Sequence, residues 1–149
     1  MVNPSSLIRD LVRKYPLIAL IPAVSVIFDY SMTLLFSHGS QEIMELEYSP
    51  LVRFAVAHDL LFLYLAGMVL FYYACSYLAL RVLSSTEFYG AGVALVLLVG
   101  LTHLAGGLSW FVRDGLYSQV VIGLALSGVL IAVFEFGRVL HNHLSAASV

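Results

Sequence analysis

The sequence predicts an all-α, integral membrane four-helix bundle, and three observations support this prediction. The chain is 61% hydrophobic, with a mean hydropathy of +0.97. Charged residues make up 11% of it, against about 25% in a typical soluble domain. Four apolar stretches are each long enough, at roughly 20 residues or more, to cross the hydrocarbon core of a bilayer. A single membrane domain therefore accounts for residues 1–149.

Each span is placed by its run of apolar residues and by the residues that flank it. Pro16 suits the first turn of the first helix, because proline lacks a backbone N–H that this turn leaves unpaired. The second stretch is the longest, and as one helix of about 45 Å it must tilt or enter the headgroups. The predicted spans cover about residues 16–36, 51–80, 90–111 and 116–138.

Two polar segments complete the predicted chain. Residues 1–14 form an amphipathic lead, which is either a helix on the membrane surface or a frayed extension of the first span. The triplet Ala23-Val24-Ser25 also suits a signal-peptide cleavage site. The apolar pattern continues past it to Phe36, which favours a retained first span. The longest connection, residues 37–50, is an acidic loop.

Small residues predict how the later spans pack. Small side chains allow helix backbones to approach closely in lipid. We therefore expect close helix contacts, more than a ligand opening, at the glycines of the third and fourth spans: Gly100, Gly106, Gly107, Gly123 and Gly128.

Charge and cysteine content narrow the function classes. The net charge is −2 at pH 7, and no basic stripe is present to neutralise phosphates, so nucleic acid is not an expected partner. Cys75 is the single cysteine and cannot form an internal disulfide. The sequence has no Gly-rich phosphate loop, GxSxG elbow or SxxK motif, so nothing in it supports covalent serine catalysis.

The positions of lysine and arginine predict the orientation in a cell membrane. Cytoplasmic loops are enriched in these residues. Five of the seven lie in the N-terminal lead, the loop after the second span and the C-terminal tail, whereas Arg53 and Arg113 lie on the other side. Both termini are therefore predicted to be cytoplasmic, and the acidic loop is predicted to face outside.

Ionisable residues in or beside the spans identify the candidate site. Each costs about 2.5–3.5 kcal/mol at the bilayer centre, so such residues usually have a partner, a water-filled cavity or a metal. Asp29 and His103 lie about seven residues from the outer ends of the first and third spans. Both are thus roughly 10 Å deep, and we predict that they meet. Thr33 lies one turn after Asp29 on the same face, and His58 and Asp59 begin the membrane part of the second span.

Two histidines with several carboxylates are the ligand types of a metal centre. Asp29, His58 and His103 are the predicted ligands of Zn²⁺, or of Fe or Mn in a two-histidine-one-carboxylate arrangement. The predicted general bases, or residues that close the site, are Asp59, Glu45 and Glu47. An Asp29–His103 hydrogen bond that only ties two helices explains the same pair. A proton path and haem ligation by His58 and His103 are further alternatives.

A short pattern in this region resembles a known family. Asp29-Tyr-Ser-Met-Thr33 is followed, after a dozen residues, by Glu45-Leu-Glu47-Tyr-Ser49-Pro50. The pattern resembles an uncharacterised family of small prokaryotic membrane proteins, which carry Asp-x-x-x-Thr late in one span and Glu-x-Asn-Pro at the start of the next. The match covers about residues 26–60, and Ser49 stands where the family has asparagine. The resemblance implies one outward-facing unit of Asp29, Thr33, Pro50 and either glutamate, and it implies no reaction.

Three functional hypotheses follow from these residues. The first is an intramembrane metal-dependent hydrolase that acts on a lipid or a membrane peptide. The second is a non-catalytic assembly or structural subunit, whose polar residues tie helices together. The third is a small transporter or channel subunit, which needs a polar path to the inner side. The lipid bilayer is a partner in all three, and a homo-oligomer is compatible with the sequence.

Overall fold

The computed structural model describes residues 14–147, and their side chains except those of residues 136 and 139–147. The N-terminal lead predicted over residues 1–14 therefore lies outside the described residues, apart from Lys14. Within the described range the chain is all-α, as predicted. The six helices of this range are α1 (Tyr15–Phe36), α2 (Ser40–Leu46), α3 (Pro50–Ala57), α4 (Leu61–Leu83), α5 (Tyr89–Val112) and α6 (Gly115–Ala147).

Among residues 14–147, four helices are long and apolar enough to cross a membrane: α1, α4, α5 and the Gly115–Glu135 part of α6. Their mean hydropathies lie between 1.7 and 2.1. This finding agrees with the four spans that composition predicts, and it indicates a multi-pass membrane protein.

The second predicted span, residues 51–80, is divided into α3 and α4. Ser49 is the N-cap of α3, and its hydroxyl accepts a hydrogen bond of 3.4 Å from the backbone N–H of Val52. It ends in a Schellman motif, in which the N–H groups of Asp59 and Leu60 bond the carbonyls of Val56 and Ala55. Asp59 has the left-handed φ of 57° that this motif requires. Helix α4 then spans about 35 Å, so the excess length of a single helix disappears.

The four long helices form an open arrangement. Helix α1 packs against both α4 and α5, and α6 packs along α5. Helices α4 and α6 each contact α5 but have almost no contact with each other. A gap therefore runs between α4 and α6, with α5 behind it.

Close contact between α1 and α5 depends on glycine, as predicted. A Cβ atom on Gly100 would lie 2.8 Å from the Ile21 side chain, and one on Gly107 would lie 2.8 Å from the Cα of Asp29. A Cβ atom on Gly128 would make only an ordinary contact with Leu98, at 3.6 Å, and one on Gly123 would meet open space, so the close contact predicted at Gly123 is absent. The seam between α1 and α5 therefore brings the backbone of Asp29 directly onto α5.

Helices α2 and α3 pack across one end of the long helices, which we call the capped end. Ile43 of α2 and Val52 of α3 are almost fully buried there, together with Trp110 of α5. They join Val26 and Tyr30 of α1 in one hydrophobic cluster. The segment predicted as a polar loop thus contributes apolar residues to the core at the end where Asp29 lies.

Candidate functional site

Asp29 and His103 form a hydrogen bond between α1 and α5. The Asp29 Oδ2 and His103 Nδ1 atoms lie 2.8 Å apart, so the contact predicted from matched depth is present. Gly106 lies beside this pair, and a Cβ atom there would lie 3.4 Å from Asp29 Oδ2. About a fifth of each side chain is exposed, 21% for Asp29 and 20% for His103. The pair is therefore not sealed between the two helices.

The exposed side of this pair faces a cavity of about 620 Å³ at the capped end. Helix α4 lines one wall with Tyr64, Met68 and Tyr72, and α6 lines the other with residues that include Val121 and Ala125. The walls are mostly apolar, and the volume lies in the range of small-molecule sites, about 300–1,000 Å³. The cavity occupies the gap between α4 and α6 and is not closed between these two helices.

Glu47 is the loop glutamate that lines the cavity. Its Oε1 atom accepts a hydrogen bond of 2.8 Å from the backbone N–H of Ser49. Burial raises the pKa of Glu47, the hydrogen bond from Ser49 opposes that effect, and the negative charge of Asp29 raises the pKa further. Glu45 is instead exposed and bonds Gln41 at 3.4 Å. Of the two glutamates that the sequence leaves open, Glu47 therefore belongs to the cavity.

Five aromatic side chains of the described residues line the cavity: Tyr30, Tyr48, Tyr64, Tyr72 and Trp110. The rings of Tyr30 and Tyr64 meet edge to face at 5.9 Å, and Tyr72 meets the His103 ring at 4.8 Å. The sequence analysis did not select this set. The sequence signal that could have found the tyrosines of α4 is the four-residue spacing of Tyr64, Met68 and Tyr72, which places all three on one face of a helix.

Arg113 joins the helix ends beside the cavity, and this role was also missed. Its left-handed backbone ends α5, and its guanidinium donates to the carbonyl oxygens of Trp110 and Phe36. It also bonds Glu42 Oε1 at 3.0 Å. The second Glu42 oxygen accepts from the backbone N–H and the ring of His38, and these bonds lower the pKa of Glu42. Helix α2 is therefore tied across the capped end.

His58 and Asp59 do not line the cavity, although the sequence predicted His58 as a metal ligand and Asp59 as a general base. Both are exposed. His58 Nδ1 donates to the carbonyl of Phe54 at 2.8 Å, and the two rings lie 4.1 Å apart. Asp59 terminates α3. Both residues therefore lie at the C-terminal end of α3. The prediction placed them in the site because it treated residues 51–80 as one continuous helix.

Thr33 lies on the same face of α1 as Asp29 and is buried. Its hydroxyl donates to the backbone oxygen of Asp29 at 3.1 Å. The hydroxyl is therefore used within α1, and Thr33 does not line the cavity.

No three His, Cys, Asp or Glu side chains of residues 14–147, as far as their side chains are described, form a group that could hold a metal ion. Asp29 and His103 are in contact, Glu47 shares their cavity, and His58 lies elsewhere. The Zn²⁺, Fe or Mn centre of the sequence analysis stays a prediction.

Comparison of the chain with protein-family models, curated proteins and solved structures finds no match. The family resemblance stays a prediction from the sequence. Ser49 caps α3, a role that asparagine fills equally well, so the departure at this position preserves the local structure.

Proposed function

We propose that this protein binds an amphipathic molecule of the membrane, a lipid or a lipid-like compound, in the cavity beside Asp29 and His103. One observation carries the proposal: the hydrogen-bonded pair opens onto a cavity with mostly apolar walls. A pair that served only to tie α1 to α5 would be strongest when fully enclosed, where the local dielectric is low. Partial exposure to a shaped cavity favours a binding role.

The polar group of the ligand is matched by atoms that the fold leaves available. Within the described residues, no group bonds Asp29 Oδ1 or His103 Nε2, since the contact between the two uses Oδ2 and Nδ1. Unsatisfied polar atoms at membrane depth are costly. A ligand hydroxyl or amine placed here would satisfy both.

The apolar part of the ligand is matched by the gap between α4 and α6. A second cavity of about 560 Å³ lies in this gap, with walls of α4, α5 and α6. Glu135 is its charged lining residue, and it forms an ion pair of 2.7 Å with Arg138, three residues further along the same helix. Hydrocarbon buried here would contribute roughly 25 cal/mol per Å² removed from water. The apolar walls give little support to a continuous ion path.

The orientation predicted from lysine and arginine completes the proposal. Both termini lie in the cytoplasm of a cell-membrane protein, so the capped end faces outside. The ligand would then enter from the outer leaflet through the gap between α4 and α6.

Hydrolysis of the bound lipid, or of a membrane peptide, is a second candidate function. The specific observation is that Asp29 holds the His103 ring by Nδ1, which leaves Nε2 free to accept a proton from water. A metal-dependent form needs a further ligand, and Glu47 has suitable chemistry in the same cavity. Elemental analysis of untagged protein, beside an Asp29→Ala/His103→Ala variant, separates the two forms. Stoichiometric metal that the variant loses would identify the metal-dependent form.

Native mass spectrometry of protein in mild detergent tests lipid binding. Ala125→Phe should fill the cavity without touching the polar pair, and Ala74→Phe changes an exposed residue of α4 that lines neither cavity. We expect wild type and Ala74→Phe to retain a lipid, and Ala125→Phe to lose it. Equal retention by all three proteins would place the lipid elsewhere and leave the pair with a helix-tying role.

A further inference from the structure

We infer that the cavity selects a ligand with a positively charged ammonium head group. The inference rests on the proposed function and names the chemical class of its ligand. It follows from three features of the cavity at the capped end: the carboxylates that line it, its aromatic walls, and the hydrogen bonds that already occupy the guanidinium of Arg113.

The charges that line the cavity are mainly negative. Asp29 and Glu47 line it together, and no described lysine or arginine forms an ion pair with either. Asp29 has His103 as its partner, through one oxygen. Glu47 is held by the neutral backbone N–H of Ser49. An incoming cation would therefore meet two carboxylates that no fixed cation neutralises.

The guanidinium of Arg113 does not reverse this balance. Arg113 lines the cavity, but its donors are directed to Glu42 and to two backbone carbonyls. Asp114, at the same rim, accepts from the backbone N–H of Tyr117 and adds a third carboxylate. An anionic head group would thus face the carboxylates without a free arginine.

The aromatic walls favour a cation over a neutral polar group. Tyr30, Tyr48, Tyr64, Tyr72 and Trp110 line the same cavity as Asp29 and Glu47. The face of a phenol or indole ring attracts an ammonium group within about 6 Å of its centre. Carboxylates combined with aromatic rings are the chemistry by which proteins recognise amines and quaternary ammonium groups.

Trp110 allows a direct test, because it is the single tryptophan of the chain and lines the cavity. Its fluorescence is titrated in nanodiscs of neutral lipid with three probes of equal chain length: dodecyltrimethylammonium, dodecyl maltoside and dodecyl sulfate. We expect a saturable change with the cation at a concentration about tenfold lower than with the other two, as a cation–π and charge contribution of this size implies. Ala125→Phe should abolish the saturable change.

Paired variants assign the preference to the carboxylates. Glu47→Gln and Asp29→Asn keep the shape of each side chain and should remove most of the preference for the cation. Glu45→Gln, on the exposed side of the same loop, should leave it intact. Equal binding of all three probes to wild type would overturn the cation inference while leaving the proposed function in place. If Ala125→Phe changed the binding of none of the three probes, both the cation inference and the proposed function would be overturned.

Discussion

The backbone of Asp29 lies directly against Gly107, so that a Cβ atom on Gly107 would stand 2.8 Å from the Asp29 Cα. This contact sets the distance between α1 and α5 at the level of the polar pair. At Gly106, the preceding residue, a Cβ atom would lie 3.4 Å from Asp29 Oδ2, which is an ordinary contact distance. The approach of α1 to α5 beside the Asp29–His103 hydrogen bond therefore depends on Gly107.

Gly107→Ala is expected to destabilise the protein by about 1–3 kcal/mol, the usual cost of overpacking. The added methyl group meets backbone that cannot move aside without separating α1 from α5. The cost outweighs the gain of up to about 1 kcal/mol in helix propensity from replacing glycine. Thermal unfolding in mild detergent measures the change. Gly123→Ala, where a Cβ atom meets open space, is the matched control and should be neutral or stabilising. Equal stability of both variants would contradict the packing argument.

The Asp29–His103 contact was predictable because helix rise is constant, so depth in the membrane can be counted from the end of each span. The break between α3 and α4 was not, since a Schellman motif leaves no mark in hydropathy. Asp59 has the left-handed backbone that ends α3, but an aspartate beside a span is also a candidate catalytic residue, so the sequence did not separate the two roles. The tyrosines of α4 were not selected, and the choice between Glu45 and Glu47 stayed open, for another reason. Whether these side chains line the cavity depends on how α4 and the loop before α3 are oriented toward α1, and long-range packing decides that orientation.

Asp29→Ala and His103→Ala should each destabilise the protein by about 1–3 kcal/mol, because each leaves the partner's polar group unpaired. Their effects should not add, and the double variant should be more stable than the sum predicts by about 0.5–3 kcal/mol. Chemical unfolding of the four proteins in mild detergent completes the cycle. His58→Ala, at an exposed helix end, serves as the control. Strict additivity of the two changes would show that the hydrogen bond contributes nothing to folding.

Glu47→Gln should stabilise the protein at neutral pH. A carboxyl whose pKa is raised in the folded state opposes folding once it is ionised. This cost is absent below the ordinary pKa of 4.5, grows as the pH rises through the folded pKa, and stays constant above it. The stability difference between variant and wild type should therefore grow from about pH 4.5 upward and vanish in more acid solution. Thermal midpoints across this range measure it, with Glu45→Gln as the control that shows no such trend. A difference that is independent of pH would point to packing rather than charge.

The orientation prediction can be tested by labelling cysteines in intact cells. In a Cys75→Ser background, Glu45→Cys places a thiol on the exposed side of α2, and Glu87→Cys places one in the exposed turn between α4 and α5. These positions lie at opposite ends of the long helices. If both termini are cytoplasmic, an impermeant maleimide should label Glu45→Cys in intact cells and Glu87→Cys only after the membrane is opened. The reverse pattern would place the cavity at the cytoplasmic face, and its ligand would then come from the inner leaflet.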